Sequence, residues 1–143
     1  MPMLKGIDPV LRGELLKALD EMGHGERFAL VDQNFPAYGV GAPVIDLGEV
    51  SATRATQAIM SVFPLDPFVE TPLERMGIDD DLAGSNECHD DVLALALSSA
   101  PESWPWHIIP RADFYDEVKN VVLVVRCLES APYACFMFRK GVL

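Results

Sequence analysis

The chain has 143 residues, with 11 Lys+Arg against 22 Asp+Glu and a formal net charge of −11 at pH 7. Half of the residues are hydrophobic and 23% are charged, which predicts one folded domain over 1–143 with its own core and excludes a disordered chain. So acidic a chain offers no basic footprint for nucleic acid or an anionic membrane, and its apolar run near the N-terminus, broken by Lys5 and Asp8, is too short for a signal peptide or a membrane span.

In chain order, Leu11, Leu15, Ala18, Leu19 and Met22 share one face at helical spacing, with Arg12, Glu14, Lys17 and Glu21 opposite. Asp8-Pro9 is the expected start of this helix and Gly23 its left-handed stop. Phe28–Val31 reads as a short buried strand closed by Asp32. Asn34–Pro43 is a loop, and Val44–Leu47 is a strand candidate. Ser51 caps a second helix with Ala55, Ala58, Ile59 and Val62 on its face, ended by Pro64. Val69–Met76 reads as a strand, placed at an edge by Pro72. Asp79–Gly84 is a polar turn. Ser85 or Asn86 caps a third helix, whose first turn holds Glu87, Asp90 and Asp91. A brief strand is expected at Trp106–Ile109, and a short helix from Asp113 through Asn120. Val121–Val125 reads as a central strand, and Tyr133–Lys140 as the last one. Strands and helices interleave, so the fold class is α/β, a layered sheet with helices on both faces. The last two strands are joined too closely for a parallel crossover, so they are expected to pair antiparallel and make the sheet mixed.

Three cysteines, Cys88, Cys127 and Cys135, are odd in number and include no close pair. They read as free thiols of a cytoplasmic protein. His24 stands between two glycines at a helix exit. It serves either as a cap for the helix carbonyls or as an accessible imidazole suited to proton transfer near neutral pH. Asp32 ends a strand, where α/β sheets collect ligands, though an Asp there also starts turns. Arg111, Phe114, Tyr115 and Tyr133 form a further cluster, able to bind sugar hydroxyls or to serve as an ion pair and core aromatics. Trp104 and Trp106 suit the core or an interface better than a sugar face. Asp79-Asp80-Asp81 lacks calcium-loop spacing, Cys88-His89 lacks a second zinc-ligand pair, and Gly39-Val40-Gly41 precedes Pro43 rather than a helix.

Taken together, Leu4-Lys5-Gly6-Ile7, Glu14–Leu19, Glu21-Met22-Gly23-His24-Gly25, Asp32 with Asn34-Phe35-Pro36-Ala37, Pro64-Leu65-Asp66, Arg111 with Phe114-Tyr115, Glu129, Tyr133 and Arg139-Lys140-Gly141-Val142 resemble the RbsD/FucU sugar mutarotases, in family order over nearly the whole chain. The resemblance implies a three-layer α/β/α sandwich with a mixed, mostly parallel sheet. It implies His24 as the proton donor, and Asp32, Asp66, Arg111, Tyr115, Tyr133, Ala134 and Cys135 as sugar contacts; in such a reaction Tyr115 or Tyr133 is placed to relay the second proton. It implies ring-shaped homo-oligomers, decamers among them, with sites at subunit boundaries. The chain departs from the pattern at Cys135, where the family has Asn. Pro132-Tyr133-Ala134 resembles the ribose branch, whereas the Gly-His-Gly and Arg-x-x-Phe-Tyr signals favour the fucose branch.

The implied reaction opens a cyclic hemiacetal by acid/base catalysis and recloses it on the other face, with no redox cofactor and no metal. The implied substrate is L-fucose or a related monosaccharide. The alternatives are a D-ribose pyranase and a sugar-binding module without catalysis. A geometric constraint follows from the strand between His24 and Asp32. If it is extended, the two side chains stand on the order of 20 Å apart at ~3.3 Å per residue. Either the chain folds back near Gly25, or a neighbouring protomer completes the pocket.

Overall fold

The apolar runs of the sequence become six strands and four helices in the computed structural model, which describes residues 4–143. They are α1 (Gly13–Glu21), β1 (Arg27–Val31), β2 (Val44–Asp46), α2 (Ala52–Met60), β3 (Leu73–Met76), α3 (Glu87–Leu97), β4 (His107–Ile109), α4 (Arg111–Glu117), β5 (Leu123–Arg126) and β6 (Phe136–Arg139). Short 3-10 turns cover Ala37–Gly39 and Val118–Asn120.

The strands form one mixed sheet in the order β2-β5-β1-β6-β3-β4. The β2-β5, β5-β1 and β3-β4 pairs are parallel, and β6 runs antiparallel to both β1 and β3. The expected pairing of the last two strands does not form, because β1 lies between them. The 127–135 connection passes over the end of β1, where Cys127 N–H donates to Val31 O and Gln33 N–H to Glu129 O. All five residues of β1 are buried, so both of its edges need strand partners. Strand β3 is likewise interior rather than an edge. Pro72 precedes it, where its missing N–H removes no ladder bond and its carbonyl accepts from Arg139 N–H.

The alternation of side chains divides the core. Phe28, Leu30, Leu73, Leu123, Val125, Phe136 and Phe138 face α1, α2 and α3, meeting Leu15, Leu19, Ile59 and Val92. Ala29, Val31, Met76, Val124 and Met137 face the other way and meet Phe35, Phe114 and Val118. Each fully buried Phe contributes roughly 1.5–3 kcal/mol of burial free energy. Both faces are covered, giving the expected three-layer α/β/α sandwich.

Three helix boundaries differ from expectation. Asp8 does not start α1. It closes a separate turn through Val10 N–H and makes a bidentate pair with Arg54, 2.7 Å at each contact. Gly23 is not the left-handed residue; Met22 leaves the helix extended, and the positive φ of +88° falls at Gly25. Pro110, rather than Asp113, is the N-cap of α4, because its preset φ suits the helix entrance. Of the two cap candidates for α3, Asn86 holds the place.

Candidate active site

The parallel strands end along one side of the sheet and begin along the other, and the expected site residues divide between these sides. At the beginning of β1, His24 rides on a bend fixed by backbone bonds. Gly25 N–H donates to Lys140 O at 2.8 Å, and Arg139 Nη1 donates to Gly25 O at 2.7 Å. The last turn of α1 needs partners for its free carbonyls, the task offered to His24. Lys140 performs it instead: its Nζ donates to Leu19 O at 2.7 Å, Asp20 O at 3.2 Å and Met22 O at 2.6 Å. The imidazole is thereby released from capping. Its side chain is 48% exposed, and Nε2 lies 3.2 Å from Asp66 Oδ1.

Asp66 is held by the far end of β6. Its N–H donates to Arg139 O, and the neighbouring Gly141 N–H donates to Pro64 O. A Cβ at Gly141 would meet Leu65 O at 2.5 Å, so glycine lets the two backbones approach. The Asp66 side chain is 3% exposed and also accepts from Phe68 N–H at 3.0 Å, so its carboxylate serves the imidazole and the loop. The Phe68 ring, itself exposed, meets the imidazole edge-on at 5.6 Å. A cleft of about 490 Å³ opens beside His24, lined by Leu16, Leu19, Met22, Phe63 and Lys140.

Asp32, Arg111, Tyr115, Tyr133, Ala134 and Cys135 gather at the opposite side, where β1, β3 and β4 end and β6 begins. Asp32 is buried. Its Oδ1 accepts from Asn34 N–H and Phe35 N–H, both at 3.0 Å, and the Ala134 N–H and the Cys135 thiol also lie against the carboxylate. Burial outweighs these donors and pushes the Asp32 carboxyl above its ordinary value of 3.8. Burial and the facing Asp32 charge push the Cys135 thiol up, which keeps it a protonated hydrogen-bond donor.

Arg111 Nε donates to Asp79 Oδ2 at 2.9 Å, and its guanidinium also meets the Tyr115 hydroxyl one turn along α4. The Asp79 bond, then Tyr115, hold the Arg111 pKa above its ordinary value. The Tyr115 ring stacks on Phe35 at 5.6 Å. Tyr133 has a left-handed backbone, φ +56°.

The tryptophans belong to the core. Trp104 is buried, and Trp106 stacks on Phe136 at 5.4 Å. Glu129 caps α2 through Ala52 N–H at 3.0 Å. Cys88, Cys127 and Cys135 are free and buried. Among the described residues no three His, Cys, Asp or Glu side chains converge as a metal-ligand set, and no helix is long and apolar enough to cross a membrane.

Of the two geometric alternatives, the fold-back is not seen. The bend at Gly25 leads directly into β1, whose Arg27 pairs with Arg139 and whose Leu30 pairs with Phe136. His24 and Asp32 therefore stand at opposite ends of an extended strand. Sequence reasoning missed Lys140 as a cap, Asp79 as the partner of Arg111, and Asn86 with His89 behind Tyr133. Only the last pair had a local signal, the spacing of a helix cap and its third residue.

The fold is thus a mixed α/β sandwich with two separated polar clusters, a solvent-open imidazole at one side and, at the other, a carboxylate buried under backbone donors and a thiol. The chain belongs to the RbsD / FucU transport protein family, whose sequence pattern matches residues 5–143. It is 37% identical to the L-fucose mutarotase of Actinobacillus pleuropneumoniae serotype 5b (strain L20), over 98% of this chain and 97% of that protein. The crystal structure of FucU from Bifidobacterium longum is similar, with a TM-score of 0.89 and 34% identity, covering 97% of this chain and 99% of that one. The fucose mutarotase from Streptococcus pneumoniae, solved with L-fucose, has a TM-score of 0.89 at 26% identity, covering 98% and 99%.

Proposed function

We propose that this protein is an isomerase that interconverts the α and β anomers of L-fucose, or of a closely related monosaccharide, by acid/base ring opening. The observation that carries the reading is the His24–Asp66 pair: an imidazole half open to solvent, held in place by a buried carboxylate 3.2 Å away. The identity to L-fucose mutarotases over almost the whole chain supports the substrate.

The reaction transfers two protons. His24 protonates the ring oxygen as the anomeric hydroxyl is deprotonated and the C–O ring bond breaks. The open aldehyde rotates about its C1–C2 bond, and the reverse transfers close the ring on the other face. Tyr133 or Tyr115 relays the second proton. Asp32 and Arg111 hold sugar hydroxyls, with the Ala134 N–H and the Cys135 thiol completing the cradle.

Because His24 and Asp32 stand at opposite ends of β1, one protomer brings the imidazole and its neighbour the cradle. A head-to-tail ring, the decamer implied by the resemblance, joins them at each boundary. Three free buried thiols fit a reducing, cytoplasmic setting.

Saturation-transfer NMR on anomeric protons tests the reading. Accelerated exchange of L-fucose, lost in His24→Ala, is the expected result. Exchange of D-ribose alone would point to a pyranase, the reading favoured by Pro132-Tyr133-Ala134. Binding without exchange would mark a module whose Cys135 no longer supports catalysis.

A further inference from the structure

The Tyr133–Cys135 segment is held from behind by the first turn of α3. Asn86 caps that helix, with Oδ1 accepting from His89 N–H at 2.9 Å, and His89 Nδ1 accepts in return from Asn86 N–H at 3.3 Å. This is a capping box with histidine in the place that Glu or Gln takes elsewhere. Since Nδ1 accepts, the imidazole proton resides on Nε2, which donates to Tyr133 O at 2.8 Å. The second cap group is used as well: Asn86 Nδ2 donates to Pro132 O at 2.9 Å.

These two carbonyls belong to the peptide planes on either side of the Tyr133 Cα. Fixing both planes fixes φ and ψ of that residue, and its φ of +56° is one a tyrosine adopts only when its surroundings impose it. In a planar trans peptide the N–H points away from the C=O. Drawing Tyr133 O toward His89 therefore turns the Ala134 N–H the other way, onto Asp32. The His89 ring has no freedom to drift; it is wholly buried and stands edge-on to Phe136 at 5.9 Å.

The geometry points to His89 and Asn86 as positioning residues of the sugar site: they clamp Tyr133 in its left-handed conformation and aim the Ala134 N–H at Asp32. The role rests on the mutarotase reading for the place of the sugar at Asp32 and Tyr133–Cys135.

The test uses two conservative variants of the full chain. Asn86→Asp keeps the cap acceptor and removes the donor to Pro132 O. His89→Asn keeps a short polar side chain near the cap and cannot reach Tyr133 O. In each, loss of one hydrogen bond in the clamp is expected to raise KM for L-fucose about 5- to 10-fold while kcat stays within about twofold. The Tyr133 Cα and Ala134 amide resonances are expected to move in the sugar-free protein. His89→Gln, which extends a donor toward Tyr133 O, is expected to recover part of the lost affinity. Unmoved resonances, or an unchanged KM, in folded variants would overturn the proposal. If His89→Asn fails to fold, Asn86→Asp, at a half-buried position, decides the question. A wild-type protein that leaves L-fucose unexchanged would overturn the mutarotase reading alone, because the resonances report the clamp without sugar.

Discussion

The two sides of the sheet are built for different work. At the beginning of β1, His24 is open to water, touches one carboxylate, and is spared helix capping by Lys140. At the end of β1, Asp32 is buried under backbone donors and a thiol, behind a clamped tyrosine. A group that exchanges protons gains from solvent access, whereas groups that orient a sugar gain from rigidity. One strand cannot place both kinds at a single spot, so the fold gives each its own end, and in the proposed ring their union falls to neighbouring protomers.

The largest effect that sharpens this contrast is on His24. Substitution to Ala is expected to lower anomer exchange by roughly 10²–10⁴-fold with little change in Tm, since the side chain supports no core. NMR exchange rates and a melting curve check both halves. Asp32→Asn is expected to cost about 10²-fold in exchange while raising Tm at pH 7. The sign follows from its raised carboxyl pKa. The stability tied to Asp32 is full below 3.8 and is lost as pH rises through the folded value, so an ionised Asp32 costs stability near neutrality. A lower Tm in this variant would break the view of Asp32 as a group kept for function.

The shared site itself is tested by mixing. His24→Ala and Asp32→Asn subunits, each nearly inactive, are expected to recover roughly a quarter of wild-type exchange when assembled together at random in one ring. No recovery in assembled mixed rings would place both groups in one protomer's pocket and end the comparison.

Smaller effects come from the supports. Lys140→Met leaves two carbonyls of α1 and that of Met22 without their cation, costing about 1–2 kcal/mol and roughly 3–6 °C in Tm by thermal melting. Burial holds the His89 pKa below 6.5, with Arg75 and Asp90 as charged neighbours. Its neutral form therefore contributes stability above 6.5 that is lost as pH falls through the lowered folded value. A downward step in Tm between pH 7 and pH 5, absent from His89→Asn, is the expected signature.

Much of this was legible in order along the chain. The helical face from Leu11 to Met22, the buried run Phe28–Val31 and the glycine-flanked His24 each announce themselves locally. The separation of His24 from Asp32 was legible too, because strand length alone sets it. The pairing of β6 was not. A short connection from β5 suggests a hairpin, and nothing local says that β1 enters between them. Nor was the fate of His24, since a lysine more than a hundred residues away takes the helix carbonyls.

The sequence by itself determined the α/β class, most of the elements and the residue types available for proton transfer, because hydrophobic periodicity and turn chemistry act over a few residues. Only the tertiary structure decided which strands meet, which carboxylate backs the imidazole and which side chains hold Tyr133. Those choices depend on contacts between distant segments, whose free energies are settled by packing in three dimensions.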